Sequence, residues 1–483
     1  MTLSLRGFEN LALPIVLGCI AALGGIILVS LPFKFAVTTL LILCMSIILM
    51  TFPGYAKNII YFSMVFFISV NLDINFWVHK HVGSASSISI SISWLSSSVL
   101  MLLLLRDRLL NQRKLRISGE LLVLFLYALW GCTGFLRAEY PEYVLLELVR
   151  LMMGGVILFV VSNELDESLL GKLVTFLLLA VLFQGLLALI QYVFQSVPTV
   201  KLFGMTKVKE LFPGQVVHRA MGTLGHPNFL GYFLELTLPL CFVCMFNLPS
   251  GFSRKIAGLA WLVGTLAIVA TKSRGAWVGY TMAMLFIMAL QFRKFLWGIR
   301  PVVRLLTVVL LVVLILAGSY PVIKKRLLGS DHRSASVRMP LNKAAVSILR
   351  QFPVAGVGMN NFSESFKKYD TTGYSRIFRG YKHVVHNLYL LIAVETGLIG
   401  LSLFLLFLSF PFYHALRLCC YDYRGLGCDI VGGICGGVWG HLVHGLFDPG
   451  FVLSPQISTL IFFMIGLVSA YSRIILMYKS KEV

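Results

Sequence analysis

Residues 170–194 read LGKLVTFLLLAVLFQGLLALIQYVF, a run whose single charge is Lys172. A bilayer core of about 30 Å takes about 20 apolar residues wound as a helix. A lone chain can cross it only in a form that pairs every backbone N–H and C=O internally. Comparable runs recur along the chain, bounded by Gly, Pro and charges. They predict spanning helices near 11–31, 33–52, 58–75, 86–105, 119–135, 144–162, 170–194, 228–247, 256–271, 274–292, 302–319, 387–413, 429–446 and 452–474. The fold class expected is therefore an all-α polytopic membrane protein with about 12–14 transmembrane helices. The first two runs could instead form one re-entrant hairpin at Leu31-Pro32-Phe33-Lys34. Composition agrees: 58% of the 483 residues are apolar and only 13% charged, which excludes a water-soluble globule. The run from Leu11 to Leu31 exceeds a secretory signal core and is expected to be retained.

Nine cysteines lie in or beside the apolar segments, which argues against a disulfide framework. Cys241 and Cys244 have CxxC spacing but no second pair, so they read as small buried hydrophobes and not as zinc ligands. No metal and no cofactor is called for, and nothing points to nucleic acid.

Lys and Arg in the short loops set the orientation. Arg106, Arg108, Arg113, Lys114 and Arg116 mark one loop, and Arg293, Lys294, Arg300 and Arg304 another of equal parity. The same parity places Arg254/Lys255, Arg417/Arg424 and the tail Arg473/Lys479/Lys481 on the cytoplasmic side, and with them both termini. The organisation expected is N-terminal helices over 1–200, helices bearing outer-face arginines over 201–319, a large extracytoplasmic loop over 320–386 and C-terminal helices over 387–483.

That large loop carries twelve Lys/Arg against Asp331, Glu364 and Asp370, a balance that invites an anionic partner. Anionic lipid headgroups would account for many of these charges. Within the loop, Val337, Leu341, Ala344, Ala345, Ile348 and Leu349 form a helical stripe over 336–351. Phe352-Pro353-Val354-Ala355-Gly356-Val357-Gly358-Met359-Asn360-Asn361-Phe362 then stops the helix and turns on two glycines, as an ordered cap would.

Four polar clusters share the outer face under this topology. The first runs from Arg219 through Gly222-Thr223, Gly225 and His226-Pro227-Asn228. There a helix start with nearby glycines offers backbone N–H groups to a phosphate, and Arg219 adds a bidentate donor. The second, Thr271-Lys272-Ser273-Arg274-Gly275, interrupts two apolar helices and centres on Arg274. The third is His383-Val-Val-His386-Asn387, where imidazole is the side chain suited to accept a proton near neutral pH. The fourth is His441-Leu-Val-His444-Gly-Leu-Phe-Asp448, whose carboxylate could orient a histidine or join it on a metal. Singly, each reads as helix-end polarity or a snorkelling charge; jointly, they combine arginines, a base and an anion-binding helix start. Glu147 and Arg150, one turn apart in an apolar helix, suggest either an interfacial ion pair or ion coupling in a transporter.

These clusters also carry a resemblance. Arg219 to Asn228, Ser273-Arg274-Gly275-Ala276-Trp277, the Arg338 to Phe362 stretch and His386-Asn387 followed by Glu395-Thr396-Gly397-Leu398-Ile399-Gly400 resemble, in order and spacing, signatures of the O-antigen ligase/polymerase family over roughly 205–450. The resemblance implies a membrane glycosyltransferase of the GT-C kind, metal-independent and inverting. Its donor would be an undecaprenyl-diphosphate-linked glycan on the outer side of the bacterial cytoplasmic membrane, and its acceptor a hydroxyl on a glycan or glycolipid. By the same resemblance Arg219 and Arg274 match diphosphate-binding arginines and His386 the base; Arg338 is a third arginine candidate, and His226, Asn228, Asn387 and Asp448 are candidates for support. No DxD-like pair stands in an outer loop to hold a metal, so arginines would neutralise the leaving group. Ligases, repeat-unit polymerases, protein O-oligosaccharyltransferases and teichuronic acid polymerases share these signatures. The contrasting expectation is a transporter or flippase of the same lipid-linked sugar, which the lack of an internal repeat disfavours. A structural protein whose loop binds anionic polymers would leave the histidine and arginines unexplained.

Overall fold

The computed structural model describes residues 53–112, 115–164, 166–194, 219–296, 332–371, 384–420 and 425–479, with a few isolated residues besides. The helices expected at 11–31, 33–52 and 302–319 lie almost wholly outside them, as do His383 and both termini. The elements in chain order are α1 (Ala56–Phe66), β1 (Ile74–Phe76), β2 (Ile88–Ile90), α2 (Ile92–Leu110), α3 (Gly119–Gly131), α4 (Pro141–Ser162), α5 (Glu167–Phe194), α6 (Pro227–Asn247), α7 (Phe252–Ala270), α8 (Arg274–Leu296), α9 (His332–Gln351), α10 (Phe362–Tyr369), α11 (Leu388–Cys420), α12 (Leu426–His444) and α13 (Pro455–Lys479). Among the described residues eight helices are long and apolar enough to span a bilayer: α3 with the 3-10 turn after it, α4 to α7, and α11 to α13. The chain is thus an all-α polytopic membrane protein.

Helix α6 is the axis of the bundle, packed by α7, α8 and α12. Apolar burial gives no driving force between helices in lipid, so close van der Waals approach must supply it. Helix α12 supplies the surface for that approach. A Cβ at Gly437 would strike the Leu236 carbonyl of α6, and one at Gly440 the Gly279 carbonyl of α8. Cys241 and Cys244 are fully buried in α6, as small hydrophobes would be. Glu147 and Arg150 bond each other; Glu147 also accepts from the Ser84 hydroxyl, and Arg150 donates to the Phe451 carbonyl at 3.0 Å and lies over that residue's ring. The pair fastens α4 to the turn before α13.

Two expected helices are corrected near the start. The run 58–75 is helical only to Phe66, with a 3-10 turn to Ser69, and 86–105 begins as β2, paired antiparallel with β1. The alternation Ser87-Ile88-Ser89-Ile90-Ser91 has the period of a strand and β-branched residues that favour one. Ser91 then caps α2 by accepting from the Trp94 amide at 3.1 Å.

The basic loop contains the expected helix. In α9 Leu341, Ala344, Ala345 and Ile348 are fully buried, and the helix packs on α11. The Gly356–Gly358 turn behind it docks into a break in α11, where Gly397 has φ +70°. Val357 and Gly358 donate to the freed carbonyls of Val394 and Glu395, each at 2.9 Å, and Leu398 donates to Pro353 at 2.8 Å. Trp130 takes the Thr396 carbonyl at 2.8 Å. A Cβ at Gly397 would collide with the backbone of Val354. Only glycine fits both the left-handed φ and that approach.

Candidate active site

The chain runs back and forth so that the N-termini of α6, α8, α11 and α13 meet the C-terminal end of α12 at one end of the bundle. At that end the Leu388 amide donates to the Gly445 carbonyl at 2.7 Å, and the Tyr389 hydroxyl to Leu442 at 2.5 Å. Residues 386–389 are thereby clasped to the turn 442–446, which no sequence proximity would suggest. Asn387 completes the clasp: its carbonyl oxygen accepts from the Leu390 amide at 2.9 Å as a helix cap, and its amide donates to Leu446 at 3.2 Å.

A polar relay spans this end. The Arg219 Nε donates to the Thr271 carbonyl at 2.8 Å and Nη2 to Asn228 Oδ1 at 2.9 Å. The Asn228 amide donates to Asp448 Oδ2 at 3.0 Å, and Asp448 Oδ1 lies 3.6 Å from His386 Nδ1. Three distant segments are joined in one line from guanidinium to imidazole. The His386 side chain is 33% exposed whereas that of Asp448 is 7% exposed, so the imidazole alone of the two reaches solvent. Burial would raise the Asp448 pKa, but the facing His386, the positive field of His444 and the Tyr232 hydroxyl outweigh it and hold the carboxyl at about 2. An ionised Asp448 facing Nδ1 favours the tautomer that carries its proton there, which leaves Nε2 as the acceptor.

Arg274 and Arg338 stand at the same end, both half-buried. Arg274 opens α8 beside Gly275, whose Cα abuts the His444 ring. Arg338 is close enough to Tyr232 for its charge to act there. Lys272, at φ +52°, makes the reversal between α7 and α8 in three residues and presents the Thr271 carbonyl that Arg219 grips. His226 caps α6, its Nδ1 accepting from the Asn228 amide at 3.1 Å. Desolvation and the Arg219 guanidinium push its pKa down to about 4, even though the residue is exposed overall.

Two expectations need correction. The amides at the start of α6 are already engaged, because Gln191 accepts from Met221 and Gly222, Gln184 from Thr223, and His226 from Asn228 and Phe229. Those amides are therefore taken and do not form an open amide nest. Nor do His441 and His444 pair with Asp448. Their Nδ1 atoms meet the two oxygens of Glu235 at 2.8 and 2.7 Å, all three side chains being buried. Glu235 was missed, although a lone acid in the otherwise apolar run 227–247 was the available signal.

Residues 258–405 match the family model described as O-antigen ligase. The match bears out the resemblance drawn from the motifs and supports an O-antigen ligase-like, glycan-transferring activity. It spans Arg274, Arg338 and His386, while Arg219 and Asp448 lie outside it and join through the relay alone. No curated protein matches the chain.

Proposed function

We propose that this O-antigen ligase-like protein transfers a glycan from undecaprenyl diphosphate to an acceptor hydroxyl, without a metal and with inversion, on the outer face of the cytoplasmic membrane. The observation that carries the reading is the line Arg219–Asn228–Asp448–His386. His386 Nε2 takes the proton of the acceptor hydroxyl while Asp448 steadies the imidazolium that forms. The oxygen attacks the anomeric carbon from the face opposite the phosphate, the C–O bond to the diphosphate breaks, and the electron pair leaves with the lipid. Arg219, Arg274 and Arg338 offset the charge developing on that leaving group, which a low-dielectric membrane boundary makes more effective. Basic short loops on the opposite end of the helices support the orientation.

The test is transfer of a labelled undecaprenyl-diphosphate oligosaccharide by purified protein in detergent with EDTA. Transfer by wild type and its loss in His386→Ala, with lipid binding kept, is the expected result. Repeat-unit ladders would identify polymerisation and a single addition ligation. Wild-type rates in His386→Ala, or lipid movement across vesicles with no transfer to any acceptor, would replace this reading with a different base or with transport.

A further inference from the structure

Beside the relay lies a cavity of about 270 Å³ whose walls come from residues 67–94, α4 and the start of α13. Its lining is polar to a degree unusual inside a membrane bundle. Asp73 and Gln456, both more than nine-tenths buried, meet there at 2.9 Å, Gln456 donating. Asn75 Oδ1 accepts from the hydroxyls of Ser89 and Ser87 at 2.7 and 3.3 Å, and more serines of the hairpin follow along the wall. Trp94 adds an aromatic face, and its buried indole N–H finds no acceptor among the described residues. Planar amide and carboxylate groups, hydroxyls and an indole are what a sugar's vicinal hydroxyls and apolar ring face require. Polar groups held inside a membrane protein are costly and mark a site by default.

The cavity adjoins the relay through its wall. Phe229 lines it one residue after Asn228, and Asn71 lines it beside Gly225. Gln184 ties the segment leading to Asn71 to the turn before α6, its amide donating to the Ser69 carbonyl at 2.6 Å while its oxygen accepts from the Thr223 amide at 3.0 Å. On the hairpin side, Asn360, fully buried and in a left-handed conformation, accepts from the Ser84 amide and bonds His81, each at 2.8 Å, and donates to Ala85 at 2.7 Å. The serine-bearing segment is therefore held against the same Gly356–Asn361 turn that locks the break in α11.

Resting on the function proposed above, we infer that this cavity is a saccharide subsite that holds the sugar of the donor next to its diphosphate. Its volume of about 270 Å³ lies just below the range of ordinary ligand clefts, about 300–1,000 Å³, and suits one or two rings and not a long glycan. A site built on buried polar partners discriminates strongly, because a ligand lacking the matching hydroxyl leaves those groups unpaired.

The experiment compares binding of undecaprenyl diphosphate with that of undecaprenyl-diphosphate sugars bearing hexose and N-acetylhexosamine heads, on purified full-length protein. Wild type is expected to hold at least one sugar-bearing lipid about 10-fold tighter than the bare diphosphate. Asp73→Asn, Gln456→Ala and Trp94→Phe should each narrow that preference while leaving the bare lipid's affinity unchanged. Equal binding of all lipids by wild type, or a preference untouched in the three variants, overturns the subsite and leaves the diphosphate site standing. Failure of every lipid to bind removes the proposed function itself.

Discussion

Two groups of histidine and carboxylate lie at the same end of the bundle and are built to opposite ends. Glu235 with His441 and His444 is saturated at its carboxylate: both oxygens are taken, all three side chains are buried, and the Tyr232 ring closes over the imidazoles at 4.7 and 5.5 Å, while the buried His441 Nε2 has no hydrogen-bond partner among the described residues. Asp448 with His386 is open, separated by 3.6 Å, with the imidazole a third exposed. Two short buried contacts to one carboxylate fix α6 to α12, whereas a longer contact at the surface leaves a ring ready to bond something else. Hydrogen bonds of catalytic groups are often long before substrate arrives. Tyr232 lies between the groups, so the rigid one supports the floor of the open one.

Removing the open group's base should give the largest effect. His386→Ala is expected to slow transfer by about 10²–10⁴-fold, read as single-turnover product from labelled donor, while thermal unfolding in detergent is unchanged. Arg219→Ala should lose comparable rate and also weaken donor binding, since in the proposed mechanism it contacts the leaving group. A stability loss without a rate loss in His386→Ala would invert the comparison.

Glu235→Ala tests the other side. Withdrawing one partner from a buried charged network costs about 3–5 kcal/mol, so the protein should unfold at a markedly lower temperature. Glu235→Gln, which keeps the shape and one acceptor, should recover part of that loss. If Glu235→Ala folds normally but fails to transfer, the saturated group belongs to the chemistry and the distinction between the two collapses.

Acid separates them further. The Asp448 carboxyl sits at about 2 against an ordinary 3.8, so the folded state favours the ionised form. Its contribution is present in full above about pH 4 and is lost as pH falls through about 2. It amounts to about 2 kcal/mol. Thermal midpoints followed from pH 5 down to 2 should fall more steeply for wild type than for Asp448→Asn. Parallel curves would mean that the carboxylate does not feel His386.

Much of this was legible in the chain, for physical reasons that also explain the omissions. Long apolar runs announce spanning helices because lipid permits no alternative, and the stripe Leu341-Ala344-Ala345-Ile348 announced α9. The hairpin was hidden inside an apolar stretch, although Ser87 to Ser91 alternate with the period of a strand. Arg219, His386 and Asp448 were readable as separate candidates on one face, but their order of contact was not: it depends on how α12 turns back beneath α11. Glu235 went unread because its partners stand more than two hundred residues away, and a single acid in an apolar helix names no partner.

The smallest expected effect concerns Asn387, which belongs to neither group but positions the open one. Its side chain caps α11 and grips Leu446, two residues before Asp448, so it holds His386 and Asp448 in one frame. Asn387→Ala should cost about 1 kcal/mol of stability, as lost caps do. Asn387→Ser, which keeps an acceptor for the Leu390 amide, should restore the stability but not the tie to Leu446. If that tie sets the distance from imidazole to carboxylate, both variants should lower kcat several-fold with the donor KM unchanged. Rescue of kcat by serine would instead show that the cap suffices and that the reach of His386 is set by α11 alone.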